Sequence, residues 1–282
     1  MHSLFTALRR HPYRTALAVF TLACLAVAWR DTMADPVVHR TEVALPGLPA
    51  DTPPLRVLLL SDLHVIEPDM SPARLARIVA QVNALRPDLV VIAGDFVSDR
   101  LLATGHYAFR DAVAPLARLR APLGTIAVLG NHDHWRSASR GKLELARIGV
   151  TVLSNESVRR GPLIVGGLDD YGTQNDNSLA MMKTVPPGNV PLIVVSHHPD
   201  VFQHRTFDVP LVLAGHFHCG QIGWPWGGTP AHTSDWDERF SCGRTDKDGR
   251  MLIVTAGLGN SILPFRLFIK PDMWLVTVRP KR

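Results

Sequence analysis

The stretch "RVLLLSDLH", residues 56–64, is apolar from Val57 to Leu60 and then stops abruptly on Ser61, Asp62 and His64. A short, continuous run of Leu and β-branched residues fits a strand buried on both faces. Its ending has a different logic. Asp62 and His64 are two residues apart, so on an extended chain end they point the same way while Leu63 packs behind them. The same device recurs in "DLVVIAGD" (88–95), "TIAVLGNHD" (125–133), "LIVVSHHPD" (192–200) and "LVLAGHFH" (211–218).

Helical patterns lie between several of these runs. "SPARLARIVAQVNAL" (71–85) offers Ser71 as an N-cap and Pro72 at the first helical position. "YAFRDAVAPLARLR" (107–120) is a second helical pattern, interrupted by Pro115. The alternation predicts an α/β fold with largely parallel sheets, in which sites gather at the carboxyl ends of the strands. Asp62, His64, Asp95, Asn131, His132, Asp133, His197, His216 and His218 would then share one edge. Gly94, Gly130 and Gly215 at those endings let the backbone turn sharply. Asp, His and Asn without cysteine form a mixed oxygen and nitrogen donor set, suited to Mn²⁺, Fe or Zn²⁺ and unlike structural zinc sites. Two such cations can activate a water and clamp a phosphate, and a carboxylate such as Asp95 can bridge them. An imidazole such as His132 can donate a proton to a phosphoryl oxygen or a leaving group.

The blocks "SDLH", "GDFVSD", "GNHD", "SHHP" and "GHFH", in this order, resemble the signature blocks of the calcineurin-like metallophosphoesterases, and the resemblance covers roughly residues 55–278. It implies a sandwich of two β-sheets flanked by helices around a two-metal centre. It also implies that Asp62, His64 and His218 hold one metal, that Asn131, His197 and His216 hold the other, and that Asp95 bridges them. His132 would be the uncoordinated catalytic histidine with Asp133 as its orienting neighbour, and His198 would pack beside the ligand His197. The family often carries another acid three residues after the bridging aspartate; here that position is Ser98, followed by Asp99, which leaves the partner of His132 open. His106, His134, His204 and His232 have no such block around them and are expected to do no chemistry.

At 282 residues and 46% hydrophobic content the chain can build one sizeable domain. Its formal charge of +5 is concentrated in Arg9, Arg10, Arg14 and Arg30, which precede every acidic residue. The nearly neutral remainder argues against a nucleic-acid partner. Between Arg14 and Arg30 runs the uncharged "TALAVFTLACLAVAW", residues 15–29, about 22 Å long as a helix. Its apolar residues are not confined to one face, so a buried amphipathic helix is the poorer reading. We read residues 1–35 as a membrane anchor or signal segment, with cleavage after "AVA" (26–28) as the alternative to an anchor. Residues 36–54 read as a tether and first strand, and 55–282 as the metallophosphoesterase domain. The arginines ahead of the apolar run predict a cytoplasmic N-terminus, with the domain on the periplasmic or extracellular side of a bacterial inner membrane. The cysteines are Cys24, Cys219 and Cys242, too few for a disulfide framework, and pairing of Cys219 with Cys242 stays open.

Downstream of "GHFHCGQ", a Pro/Gly-rich loop carries Trp224, Trp226 and Trp236. Such a loop is expected at the site mouth, where Trp224 and Trp226 take up an apolar tail or sit in a bilayer interface, or else pack under the loop. The segment 257–278 resembles the membrane-associated bacterial branch of the family, and Arg266 within it is the candidate phosphate clamp, with a surface arginine as the alternative. The expected activity is two-metal hydrolysis of a phosphoester (phosphodiesterase or phosphatase), with a membrane-borne, lipid-linked phosphoester as the expected substrate. A UDP-2,3-diacylglucosamine pyrophosphatase of lipid A synthesis is the alternative implied by that branch, and a non-catalytic metal-binding module is the alternative of another class. The oligomeric state is not legible.

Overall fold

A computed structural model describes residues 12–203, 209–230, 234 and 236–281. His204 and His232 lie outside them. Two six-stranded sheets form the frame. In the first, β1 (Val37–Leu45), β2 (Leu55–Leu60), β3 (Leu89–Ala93), β4 (Thr125–Val128), β5 (Val150–Val152) and the last strand, β12 (Asp272–Pro280), lie in the order β1-β12-β2-β3-β4-β5. The second holds β6 (Glu156–Arg160), β7 (Leu163–Gly167), β8 (Leu192–Val195), β9 (Leu211–Ala214), β10 (Gly243–Lys247) and β11 (Arg250–Val254) in the order β10-β11-β9-β8-β7-β6. Strands β2 to β5 run parallel, as do β7, β8, β9 and β11; antiparallel pairing is limited to β12 with β2 and to the outer pairs β10–β11 and β6–β7. The expected two-sheet sandwich flanked by helices is therefore present.

Alternation explains why the strands are apolar on both faces. Val57 and Leu59 of β2 join Leu89, Val91, Ile126 and Val128 in the core between the sheets, where they meet Val165, Ile193, Val195, Leu211, Leu213 and Ile253. Leu58, Leu60, Val90 and Ile92 face the opposite way, onto helix α2 (Pro72–Ala84) through Leu75, Ile78, Val79 and Val82. Helix α2 begins as expected: the Ser71 side chain accepts the Arg74 N–H and Pro72 occupies the first turn. The second helical stretch is a short α3 (Phe109–Val113) that tightens into a 3₁₀ turn at Ala114–Arg118, where Pro115 lies. Helix α4 (Asn131–Arg147) springs directly from the end of β4, and α5 (Ser178–Thr184) covers the second sheet with Met181.

Helix α1 (Pro12–Met33) carries the apolar N-terminal run; it is largely exposed through Arg30 and packs on the domain at its last residues. Asp31 and Thr32 are buried against the domain. Asp31 Oδ2 accepts the Phe268 N–H at 2.9 Å, Thr32 Oγ1 accepts the Arg266 N–H at 2.6 Å, and the carbonyls of Thr32 and Ala34 accept from Arg74 Nη2 at 2.6 and 3.1 Å. Strand β1 follows four residues later and pairs in parallel with β12 along its whole length. The stretch read as a tether and first strand contributes β1 as an edge strand of the first sheet.

Candidate metal centre

Five parallel strands end at one edge, and each delivers donors to it. Beyond β2 stand Asp62 and His64, beyond β3 Asp95, beyond β4 Asn131 and His132, beyond β8 His197, and beyond β9 His216 and His218. The backbone turns sharply at these ends: Asp62, His64, Asp95, His216 and His218 all have positive φ, between 41° and 72°. Such strain in non-glycine residues persists only where the surroundings over-determine it, and it clusters at functional sites. The two sheets are stitched together here, since the His216 N–H reaches Asp62 Oδ2 at 3.0 Å and His197 Nδ1 donates to the Ala93 carbonyl at 2.7 Å. Two glycines are needed for the approach: a Cβ at Gly215 would stand 2.0 Å from Ser61 Oγ, and one at Gly130 2.3 Å from Asp95 Oδ1.

The donors fall into two sets joined by one carboxylate. In the first, His64 Nε2 lies 3.1 Å from His218 Nε2, and His218 Nε2 lies 3.4 Å from Asp62 Oδ1. In the second, His197 Nε2 lies 3.0 Å from both Asn131 Oδ1 and His216 Nδ1. Asp95 Oδ2 stands between them, 3.4 Å from His64 Nε2 and 3.3 Å from His197 Nε2. All of these groups except His216 are buried.

The chemistry of each set suits a cation. His197 spends its Nδ1 proton on the Ala93 carbonyl, so its Nε2 is the atom that faces Asn131 Oδ1, His216 Nδ1 and Asp95 Oδ2. A proton on His197 Nε2, a proton on His216 Nδ1 or a metal ion can sit among these atoms. Burial opposes charge on His197, but the nearby Asp95 carboxylate outweighs it and holds the imidazole pKa well above the ordinary range. Burial lowers His64 to about 3 and His218 well below its ordinary value, which keeps both imidazoles neutral. Burial also raises Asp62 to about 6, with the charge of Asp95 adding to the effect, while His197 pulls the other way. Facing neutral imidazoles beside buried carboxyls are costly alone and become ligands once a cation is among them.

His132 flanks the first set, its ring edge-on to His64 with centroids 4.7 Å apart, and its backbone N–H donates to Asp95 Oδ1 at 3.0 Å. Its Nδ1 is hydrogen-bonded to the Asp99 carboxylate. Asp99 is therefore the partner that the sequence pattern left open. Asp133 has another task, which corrects its reading as the orienting neighbour. Its buried carboxylate accepts the N–H groups of Phe96 at 2.9 Å, Val97 at 3.3 Å and Gly130 at 3.0 Å, pinning the loop after Asp95 to the start of α4. Burial and the charge of Asp95 raise its pKa to about 7.

Arg266 is neither a phosphate clamp nor a surface residue. It is fully buried; its Nη2 donates to the carbonyls of Ala256 at 2.7 Å, Gly257 at 3.2 Å and Gly259, and lies 3.2 Å from His218 Nδ1. It reaches the donor cluster only from behind His218. Burial brings its pKa down to about 10, still charged at neutral pH. Trp224 and Trp226 are exposed and stacked with ring centroids 5.5 Å apart. Trp224 borders a cavity of about 780 Å³ lined by Arg30, Asp31, Cys219, Cys242 and Phe268 and by none of the seven metal-donor side chains. Cys219 and Cys242 form a disulfide, so the residue after His218 is tied to the start of β10.

His198 packs on His216 with centroids 4.3 Å apart, and His134 hydrogen-bonds Asp169 at 2.7 Å. Trp135 was not singled out in the sequence; it stands exposed beside His132, centroids 4.7 Å apart, one turn further along α4. The only signal for it was its spacing of three from His132 on one helix.

A family model described as calcineurin-like phosphoesterase matches residues 55–220, which contain all seven donors and His132. The chain belongs to the calcineurin-like phosphoesterase family. Among curated relatives, a "transmembrane protein with metallophosphoesterase domain" of Danio rerio is 32% identical over 74% of this chain and 51% of its own length. The protein of the same description from Bos taurus is 33% identical over 76% and 52%. An uncharacterized metallophosphoesterase, YkuE, of Bacillus subtilis (strain 168) is 30% identical over 79% of each. The chain spans about half the length of the vertebrate relatives it matches.

Proposed function

We propose that this chain is a two-metal-dependent phosphoester hydrolase, held at a membrane by α1 and acting on a substrate presented at the membrane surface. The observation that carries the reading is the position of Asp95 Oδ2, within 3.4 Å of a histidine from each donor set and backed by the His132 backbone. Asp62, His64 and His218 would hold one ion, Asn131, His197 and His216 the second, and Asp95 both. Bound there, two divalent ions supply Lewis acidity and charge for an in-line displacement at phosphorus; Mn²⁺ is the first choice for this donor set, with Fe or Zn²⁺ as the other candidates.

The chain's own side chains do the rest. Asp99 accepts from His132 Nδ1 and fixes the ring, leaving Nε2 to hold a proton for the leaving-group oxygen. Asp133 holds the loop that aims Asp95, and Arg266 closes the back of His218. Trp135 offers an exposed aromatic face next to His132 for the organic part of a substrate.

The membrane reading is supported by α1, which is 22 residues long, apolar and largely exposed. The part of the helix ahead of its domain-bound end, residues 12–29, is about 27 Å long, close to the roughly 30 Å of a hydrocarbon core. The arginines before it favour a domain on the periplasmic or extracellular side of a bacterial inner membrane. The Cys219–Cys242 disulfide supports an oxidising compartment. The lipid A pyrophosphatase alternative requires a nucleotide-linked substrate made in the cytoplasm and is the weaker reading for that reason. The test is turnover of a panel of phosphodiesters, phosphomonoesters and lipid phosphoesters by the Mn²⁺-loaded full chain in vesicles. Hydrolysis that is lost in His132→Asn supports the reading; inactivity on every phosphoester with both ions bound leaves a metal-binding module.

A further inference from the structure

Four exposed apolar side chains, Trp224, Trp226, Ile262 and Phe268, lie on segments tied to the exit of α1. Trp226 is 79% exposed and Ile262 80%, with Trp224 and Phe268 close to half exposed. They belong to two hydrogen-bonded segments: Ile222 bridges Leu267 in parallel, and the Gly223 N–H donates to the Leu267 carbonyl at 2.8 Å. The second segment is fastened to the helix, since the Phe268 N–H donates to Asp31 Oδ2 and the Arg266 N–H to Thr32 Oγ1. Hydrogen bonds through the Asp31 and Thr32 side chains, and between the two segments, thus connect the last turn of α1 to the stacked Trp224–Trp226 pair. That turn carries Trp29 and Arg30, both exposed, the residue types that mark the boundary between hydrocarbon and headgroups.

We infer that the 222–228 loop and the 261–270 segment form a seat that rests in the interfacial layer of the lipid bilayer crossed by α1. The occupant is the bilayer, for three reasons. The patch is continuous with the helix that would cross it. Its aromatic pair has the amphipathic rings that favour the headgroup level over either water or hydrocarbon. Exposed Lys270 and Arg30 line the same cavity as Trp224 and Phe268, together with the acidic Asp31, Glu238 and Asp272, a mixed-charge lining that suits zwitterionic headgroups beside apolar chains. Cys219 lines that cavity too, one residue from His218, so the seat would hold the metal centre at a fixed height above the membrane. The inference rests on the reading of α1 as a membrane span and not on the hydrolase activity.

The test uses the full chain in phosphatidylcholine and phosphatidylglycerol vesicles whose acyl chains carry bromine near the glycerol end. Bromine quenches only tryptophans that reach that depth. The expected result is strong quenching in the wild type, a substantial remainder in Trp29→Phe, and loss of more than half of that remainder when Trp224→Phe and Trp226→Phe are added. Quenching that vanishes entirely in Trp29→Phe would keep the span and overturn the seat. A remainder unchanged by removing Trp224 and Trp226 overturns it as well, because other tryptophans then carry the signal. An unquenched wild type removes both the span and the seat. Cross-linking of copies through position 226 without quenching would assign the patch to a second copy and overturn the bilayer seat.

Discussion

His132 Nδ1 is hydrogen-bonded to the carboxylate of Asp99, 33 positions earlier, while the His132 backbone N–H holds Asp95. One residue therefore joins the proposed bridging ligand to the proposed proton donor. His132→Asn removes the proton donor while keeping the backbone contact. Turnover is expected to fall by about 10²–10⁴ with metal content unchanged. Asp99→Asn, a positioning change, is expected to cost roughly tenfold in kcat with little change in KM. Steady-state kinetics beside elemental analysis of the same samples check both.

The last turn of α1 is part of the fold around the site. Thr32→Val leaves the Arg266 N–H unpaired in a buried setting and is expected to cost on the order of 1–3 kcal/mol. Arg266→Met strands the three carbonyls and removes the support behind His218, with an expected cost of roughly 3–5 kcal/mol and weaker metal retention. Denaturant unfolding of the full chain in detergent, read beside metal content, separates the two variants.

The disulfide ties the residue next to His218 to Cys242 across a sequence separation of 23. Cys242→Ser is expected to lose about 3 kcal/mol of stability and to weaken retention of the ion held by His64 and His218 more than the other. Mild reduction of the wild type should reproduce the effect, and metal retention during dialysis measures it.

Asp169 gives a pH-dependent test away from the proposed ligands. Burial pushes its carboxyl up, but hydrogen bonds from His134, Ser154 and the Asp170 N–H outweigh that and hold it at about 2. A depressed carboxyl stabilises the folded state above its unfolded value of 3.8, and that contribution is lost as pH falls through about 2. Asp169→Asn is therefore expected to lose on the order of 1–2 kcal/mol near neutral pH, with the gap to the wild type closing below about pH 4. His134, raised above 6.5 chiefly by the same hydrogen bond, adds the opposite limb, because its stabilisation fades as pH rises through its folded value. Urea midpoints measured across the pH range check both limbs.

The parts legible in the sequence were those where local pattern and function coincide. An apolar strand buried on both faces, ending abruptly on Asp, His or Asn, announces both the sheet and the edge that carries chemistry, and Asp62, Asp95 and His216 were all readable in this way. Asp133 misled because its place beside His132 says nothing about direction: at the start of α4 its carboxylate turns back to the N–H groups of Gly130, Phe96 and Val97. Arg266 misled because a buried guanidinium depends on carbonyls that converge only after folding. The pairing of β1 with β12 spans nearly the whole chain and leaves no local trace.

The central claim is that Asp95 joins two ion sites, and the most direct test is the Mn²⁺ stoichiometry of the metal-stripped full chain at equilibrium dialysis, compared with Asp95→Asn. The account predicts two ions bound per wild-type chain and a marked loss of affinity for both in the variant. A single ion per wild-type chain, or two ions held equally well without the Asp95 carboxylate, would contradict it.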